Sequence, residues 1–452
     1  MLKYLKQSEI IWGYSATALN VGFGLILLPI VLHYLSKDDA GMWFVFLTIS
    51  SLTQLLEFGF QPTLARNVAY VFAGSQKLKS IGVPELEKNE KKVNLVLLSN
   101  LVYAAKEIYK IIFYIATIIL FFGGSIYVIL IASPDQNITQ TILAWNLFSL
   151  GCLMNLYFGH INAILQGSGH ITSANKAIVI SKITFIITGV LTLSLNLGLL
   201  GLGIASLISA GISRLVLYKY MITLITPKIK LRPDSKSKKE RIELRKLLWA
   251  NASRLGLVQV GAFLIQRASI LIVPIYLGLE ETANYGLTVT ALLALMSISL
   301  VYCNLNLPKV NRLQSIRSIN EISKLYIEIT IHACIIYVVG LVFIVLFGNK
   351  IFNFLGSKTE LISQPLLIIL GIIIFLELNH SIAANLITTF NEIPFLMSAI
   401  ISGTVILLVA LILTPYLGIL GLILSQGVVQ ILYNNWKWPI YLSKKINIAR
   451  VR

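Results

Sequence analysis

The feature that most constrains this chain is a recurrence. Windows of about 20 predominantly apolar residues, each the length a helix needs to cross a bilayer, return twelve times along its 452 residues. They fall at 10–32, 41–60, 111–132, 139–161, 177–196, 199–220, 249–278, 285–305, 325–347, 365–388, 394–413 and 417–438. Only 12% of the residues are charged, against about 25% in an ordinary soluble domain. The mean hydropathy is +0.81. The fold class expected is therefore an all-α polytopic membrane protein. The first window has a basic flank but exceeds a signal-peptide core and lacks a small-residue cleavage site, so an uncleaved first helix is expected.

The formal charge is +18. Lys and Arg gather between the windows, where they set topology and meet anionic lipid, and no aromatic-interleaved basic patch suggests nucleic acid as a partner. With the N-terminus inside, only Lys37, Lys350 and Lys358 fall in outer loops. Lys182, Arg214, Arg254 and Arg267 lie within windows, and every other Lys and Arg falls inside. This bias predicts both termini on the cytoplasmic side. Trp12, Trp43, Trp249, Trp436 and Trp438 stand at window ends and Trp145 near one, where interface anchors belong.

The chain divides at its most basic segment. We expect a six-helix lobe over 1–223, a basic linker over 224–248, a second six-helix lobe over 249–441 and a basic tail over 442–452. Short echoes support a duplication. LGLLGL at 197–202 and LGILGL at 417–422 each open the last helix of a half, and polar turns precede the fifth and eleventh helices at a similar offset. Duplicated transporters hold their substrate at the interface of the repeats, so the cargo is expected to pass between the halves.

Chemistry of other kinds leaves little trace. Cys152, Cys303 and Cys334 all lie in apolar runs and give neither a metal spacing nor a disulfide framework. No nucleophile motif or phosphate-binding glycine loop is present. The outer loops are short, which disfavours a membrane enzyme such as a polysaccharide polymerase. Neither an enzymatic activity nor a cofactor is expected.

What stands out is charge at bilayer depth, which is costly and by default marks a pathway or a partner. Arg267 lies in the seventh window. If 252–276 is one continuous helix, Arg267 sits ~5 Å past its centre. Gln259 and Gln266 share a face beside it. Two readings stand for Arg267: a cargo contact, or a structural arginine paired with a buried acid such as Glu377. Arg254 lies ~220° around the helix from Arg267, near the interface, at headgroup level. Arg214 and Lys182 read as snorkelling cations, and Arg66 as a topogenic or headgroup-facing one. Glu57, with Gln54 a turn before it, and Glu377, with His380 at i+3, are candidates for coupling to protons, with buried packing groups as the alternative. Glu328 and His332 form a further pair, and His160 reads as a satisfied helix-end histidine.

Three stretches carry a resemblance: LLEFGFQPTLARNVAY at 55–70, AILQGSGHITSANK at 163–176 and LGLLGLGIAS at 197–206. With the helix number and loop lengths they resemble the polysaccharide transporter branch of the multidrug/oligosaccharidyl-lipid/polysaccharide (MOP) exporter superfamily, and within it the Wzx-type O-antigen flippases. The resemblance implies a MATE-like pair of six-helix lobes in a bacterial inner membrane. It implies a cargo of undecaprenyl-diphosphate-linked oligosaccharide moved from the cytoplasmic to the periplasmic leaflet by alternating access. It also implies a polysaccharide polymerase and a chain-length regulator as partners, and a cleft lined by helices 1, 2, 7 and 8. Arg267, Gln259, Gln266, Gln54, Arg66 and Arg254 then become substrate-binding candidates. Many relatives carry an acid in helix 7 near the position of Arg267, so a mechanism resting on that acid does not transfer. A drug antiporter of the same superfamily, coupled to protons or sodium, is the competing reading.

Overall fold

The computed structural model describes residues 7–57, 59–78, 93–226, 238–315, 318–390 and 392–451. Among them every regular element is helical. In chain order these are α1 (Gln7–Tyr34), α2 (Lys37–Leu56), α3 (Phe60–Phe72), α4 (Leu95–Ile118), α5 (Ser125–Ile131), α6 (Ile138–Tyr157), α7 (Gly159–Gly167), α8 (Ile171–Ser194), α9 (Gly198–Tyr220), α10 (Lys238–Gln266), α11 (Val273–Tyr276), α12 (Gly278–Ser299), α13 (Val301–Ser315), α14 (Ile319–Phe354), α15 (Gln364–Thr388), α16 (Leu396–Leu417), α17 (Ile419–Leu432) and α18 (Asn434–Val451). Among the described residues nine helices are long and apolar enough to cross a bilayer. A tenth is added if the pair Gly256–Gln266 and Ala268–Tyr276, bent by 57°, forms one span.

The chain folds as two compact units. One contains Met1–Leu27 with Ile49–Gln259, the other Leu28–Thr48 with Val260–Arg452. In the first unit, small residues bring helices together, the usual device where lipid removes the hydrophobic drive for association. Gly203 lies against the Ala144 backbone and Gly151 against Ser206, so α6 and α9 touch closely. A π turn over Ile119–Gly124 joins α4 to α5, and the fully buried indole of Trp145 donates to the Leu120 carbonyl there at 3.1 Å. The basic segment before the seventh span begins a helix that docks on the same unit. Asn100 donates to Glu240 at 2.7 Å, Arg245 pairs with Glu107 at 3.1 Å, and the Trp249 ring lies 5.5 Å from Phe60. Residues 227–237 of the expected linker lie outside the described residues.

The second unit includes a hairpin from the start of the chain. The Lys358 amide donates to the Leu32 carbonyl at 3.3 Å, and His33 Nδ1 to the Leu355 carbonyl at 3.2 Å. Gly286 lies against the Phe44 ring. At the other end of this unit, Glu392 pairs with Lys445 and accepts from Tyr441 at 3.0 Å.

The repeated motif has a conformational basis. Gly198 and Gly418, at the openings of the two copies, both take positive φ, at 51° and 58°. Three residues on, Gly201 packs on Thr192 and Gly421 on Leu413 and Thr414, each against the helix before it. A left-handed turn and a close helix crossing both exclude a Cβ, which is why the glycines recur at the same spacing.

The tryptophan reading needs correction. Trp43, Trp145 and Trp438 are buried in the protein, and only Trp249 and Trp436 are as exposed as interface anchors should be. Buried indoles find internal acceptors instead: Trp438 donates to Asn434 Oδ1 at 3.1 Å.

Candidate functional site

The seventh span is not a continuous helix. It breaks at Arg267, whose φ of −130° and ψ of −27° leave the helical region, passes through a 3₁₀ turn at Ala268–Leu271 and resumes as α11. Pro274, in the first turn of α11, keeps the α-helix from running unbroken across Ile270–Pro274. It has no N–H for the Ile270 carbonyl, and its ring crowds that carbonyl. Val273–Pro274 was the sequence signal for the resumption. The depth estimate for Arg267 assumed a straight helix and does not survive the 57° bend.

The break turns backbone and side chains into the interior of the second unit. Ser269 Oγ and the buried Tyr285 hydroxyl lie 3.0 Å apart and tie the 3₁₀ turn to α12. Glu377, 1% exposed on α15, accepts from Gln426 of α17 at 2.7 Å. Gln266, the last residue of α10, lies beside the same carboxyl, while Oε2 has no well-formed hydrogen bond. One turn along α17, Gln430 is fully buried, and neither amide atom has a hydrogen-bond partner among the described residues. Gln426 and Gln430 were missed from the sequence, although two glutamines at i and i+4 in an apolar run are a readable sign of a polar face.

Arg267 is half-buried and forms no ion pair or side-chain hydrogen bond among the described residues. Glu377 turns to amides, so the structural pairing expected as one reading of Arg267 is not formed. The expected Glu377–His380 pair is also not formed. His380 Nδ1 bonds to Asn435 Oδ1 of α18 at 3.0 Å. The i+3 spacing puts both on one side of α15, but each faces a different neighbouring helix. Gln259 is exposed on α10, in the first unit, and the side chain of Arg254 lies outside the described ones. Glu328 accepts from Tyr302 at 2.5 Å, and the Tyr302 and His332 rings stack at 4.6 Å.

The first unit holds a separate ionisable cluster. At the break between α2 and α3, Glu57 accepts a short hydrogen bond from Tyr109 of α4. A Cβ on Gly159 would stand 2.9 Å from Glu57 Oε1, so glycine at the start of α7 makes room for the carboxyl. Arg214 points inward, contrary to its snorkelling reading. It donates to the backbone and side-chain oxygens of Asn155 at 3.1 and 2.7 Å and lies over the Phe158 ring. Its Nε and Nη1 have no hydrogen-bond partner among the described residues. His160, 1% exposed, donates from Nδ1 to the Tyr157 carbonyl at 2.8 Å. Its buried Nε2 is unpaired among the described residues, so the helix-end reading covers only one of its nitrogens. Gln54 and Arg66 are not part of this cluster; both are exposed.

Lys182 departs from its expected role as well. It is the twelfth of 24 residues in α8, ~16 Å from either end at 1.5 Å per residue, too deep for the ammonium to reach an interface. Its Nζ lies 4.0 Å from the centre of the Phe23 ring of α1. A cation–π contact of this kind is worth about 2 kcal/mol when desolvated, below the roughly 3 kcal/mol cost of a mid-bilayer lysine.

A polytopic helical protein with a broken seventh span and buried ionisable groups in each of two units defines a class. The fold is that of the MATE transporters of the MOP superfamily, and the chain is a multi-pass membrane protein. An inward-facing MATE multidrug transporter of that superfamily superposes with a TM-score of 0.73 at 13% identity, covering 98% of this chain and 99% of that one. The MATE multidrug transporter DinF-BH, solved with a bound ligand, gives 0.63 at 15% identity over 99% and 97%. A MOP superfamily transporter from Pyrococcus furiosus, described by the reverse polarity of its binding pocket, gives 0.56 at 13% over 98% and 94%. No protein-family model and no curated protein sequence matches the chain.

Proposed function

We propose that this protein is a flippase for an anionic lipid-linked oligosaccharide, moving an undecaprenyl-diphosphate-linked repeat unit from the cytoplasmic to the periplasmic leaflet of a bacterial inner membrane by alternating access. The observation that carries the reading is Arg267. A half-buried guanidinium at a helix break, with no acid among the described residues to neutralise it, needs a counter-charge from elsewhere. Its planar fork suits a diphosphate, which accepts two parallel hydrogen bonds. The buried amides of Gln426 and Gln430 are the group type that meets sugar hydroxyls. Arg66 is a headgroup-level contact for loading. In this reading the polysaccharide polymerase and chain-length regulator act on the delivered cargo.

The second reading is a drug antiporter coupled to protons or sodium. It is favoured by the buried carboxyl of Glu377, by the Glu57 carboxyl under Tyr109, and by the multidrug transporters that share the fold. In the first reading the same two carboxyls serve coupling. One reconstitution separates the two. Liposomes containing the full chain are offered a fluorescent polyprenyl-diphosphate saccharide in one arm and a cationic rhodamine dye in the other. Protein-dependent flipping of the saccharide without dye movement is the expected result. Dye transport driven by a pH or sodium gradient, with no saccharide movement, would replace the first reading by the second.

A further inference from the structure

Lys182 presents the same electrostatic problem as Arg267, in the other compact unit and with different neighbours. It sits at the midpoint of α8, and no Asp or Glu pairs with it among the described residues. Its ammonium is not pointed at lipid headgroups but held at 4.0 Å over Phe23 of α1, and Phe23 is braced edge-on by Phe185, 5.4 Å away and one turn after Lys182 on α8. The contrast with Lys176 is instructive. That lysine lies six residues nearer the helix start, over the Trp12 ring at 5.3 Å, at a depth where headgroups and water supply counter-charge. Lys182 has neither.

An aromatic ring satisfies one face of an ammonium and leaves two or three N–H donors undirected. A half-buried donor set of that kind, away from headgroups, is stabilised when an anion completes it. Phe23 thus fixes where the charge stands, and the fold does not cancel it. We infer that Lys182, seated on Phe23, is an anion contact of the first unit that binds a phosphate group of an amphipathic ligand at mid-membrane depth. The inference rests on the flippase reading for the identity of that ligand, and on Lys182 and its ring alone for the chemistry. Two sources share the chemistry: a polyprenyl diphosphate and an anionic phospholipid such as phosphatidylglycerol.

The test uses the full chain in nanodiscs of zwitterionic lipid. Binding of undecaprenyl diphosphate, phosphatidylglycerol and undecaprenol is measured for the wild type and for Lys182→Gln, Lys182→Arg and Phe23→Leu. The expected result is a roughly tenfold loss of diphosphate affinity in Lys182→Gln, one charge-assisted contact at 1.4 kcal/mol per decade. Lys182→Arg should recover most of it, Phe23→Leu should lie between, and undecaprenol should be indifferent to all three. Among the described residues Lys182 has no ion pair to lose, so the glutamine variant should keep the thermal midpoint of the wild type. Melting of that variant would mark Lys182 as structural and overturn the inference. Equal diphosphate affinity in wild type and Lys182→Gln would also overturn it while leaving the flippase reading intact. If the wild type binds phosphatidylglycerol in a Lys182-dependent way but ignores the polyprenyl diphosphate, the anion contact stands and the flippase reading falls.

Discussion

Replacing Arg267 separates a cargo contact from a structural residue, because the two roles move stability in opposite directions. Among the described residues Arg267 has no partner, so its removal breaks no ion pair and orphans no buried acid. A half-buried, unpaired guanidinium carries a desolvation cost, whose upper bound is the roughly 2.5–3.5 kcal/mol that insertion scales give for a charge at the bilayer centre. Arg267→Met keeps much of the length of the side chain and removes that cost, and about 1–2 kcal/mol of it should reappear as stability once lost packing is counted. Ligand binding should change the other way. Two charge-assisted hydrogen bonds to a diphosphate contribute about 3 kcal/mol together, or roughly 100-fold in affinity. Arg267→Lys keeps the charge but not the fork and should lose roughly tenfold. The assay pairs thermal unfolding of the full chain in nanodiscs with binding of a polyprenyl-diphosphate saccharide to the same samples. Unchanged or raised stability, with binding reduced most in the Met variant and less in the Lys variant, is the expected pattern. A destabilised Arg267→Met that binds like the wild type would refute the reasoning, since the arginine would then be held by the fold itself.

Further outcomes follow from the same geometry. Glu377→Gln keeps the shape that meets Gln426 and should fold normally, but transport should lose its response to an imposed pH gradient; an unchanged response would remove Glu377 from coupling. A Cβ on Gly41 would stand 2.1 Å from the Leu279 carbonyl oxygen, whereas one on Gly24 would meet nothing within 4 Å. Gly41→Ala should therefore cost about 1–3 kcal/mol and Gly24→Ala far less, read as the difference in thermal midpoint. Glu392 lies outside the spans, and its hydrogen bond from Lys445 holds its carboxyl below the ordinary value of 4.5. A depressed carboxyl stabilises above that ordinary value, and the contribution is lost as pH falls through the lowered one. The wild type should thus exceed Lys445→Ala in stability at about pH 6, only slightly because the pair is exposed, and the two should converge as pH falls through the lowered value.

Hydropathy made the helical segments legible, because a bilayer demands long apolar runs and leaves them unbroken by charge. It could not show where a helix bends. Of the broken stretch from Arg267 to Val273, only the resumption was written in the sequence, in Pro274, within a run apolar enough to pass for one helix. Helical spacing likewise tells which residues share a side, not what they face. Glu377 and His380 are three apart and meet different helices. Snorkelling was the natural reading for Arg214 and Lys182, since it needs only a long side chain and a nearby interface. The fold gives Arg214 an asparagine and Lys182 an aromatic ring, partners 59 and 159 positions away. The indoles of Trp43, Trp145 and Trp438 were misplaced for a related reason. Window ends in the sequence are not always surface in the fold, and a tryptophan with an internal acceptor buries as readily as it anchors.

The hairpin over Leu28–Thr48 bears on how this protein can be divided. It belongs to the second unit although it is synthesised with the first, and the Leu279 backbone and the Phe44 contact of Gly286 depend on it. A fragment starting after residue 248 would carry α12 and the 348–361 loop without the segment that covers them. Such a piece should aggregate when made alone, and co-expression with residues 1–248 should rescue it. Rescue should fail if the donated piece begins after Thr48. The two halves of the chain are thus not interchangeable building blocks, and a split version must keep its first 48 residues in trans.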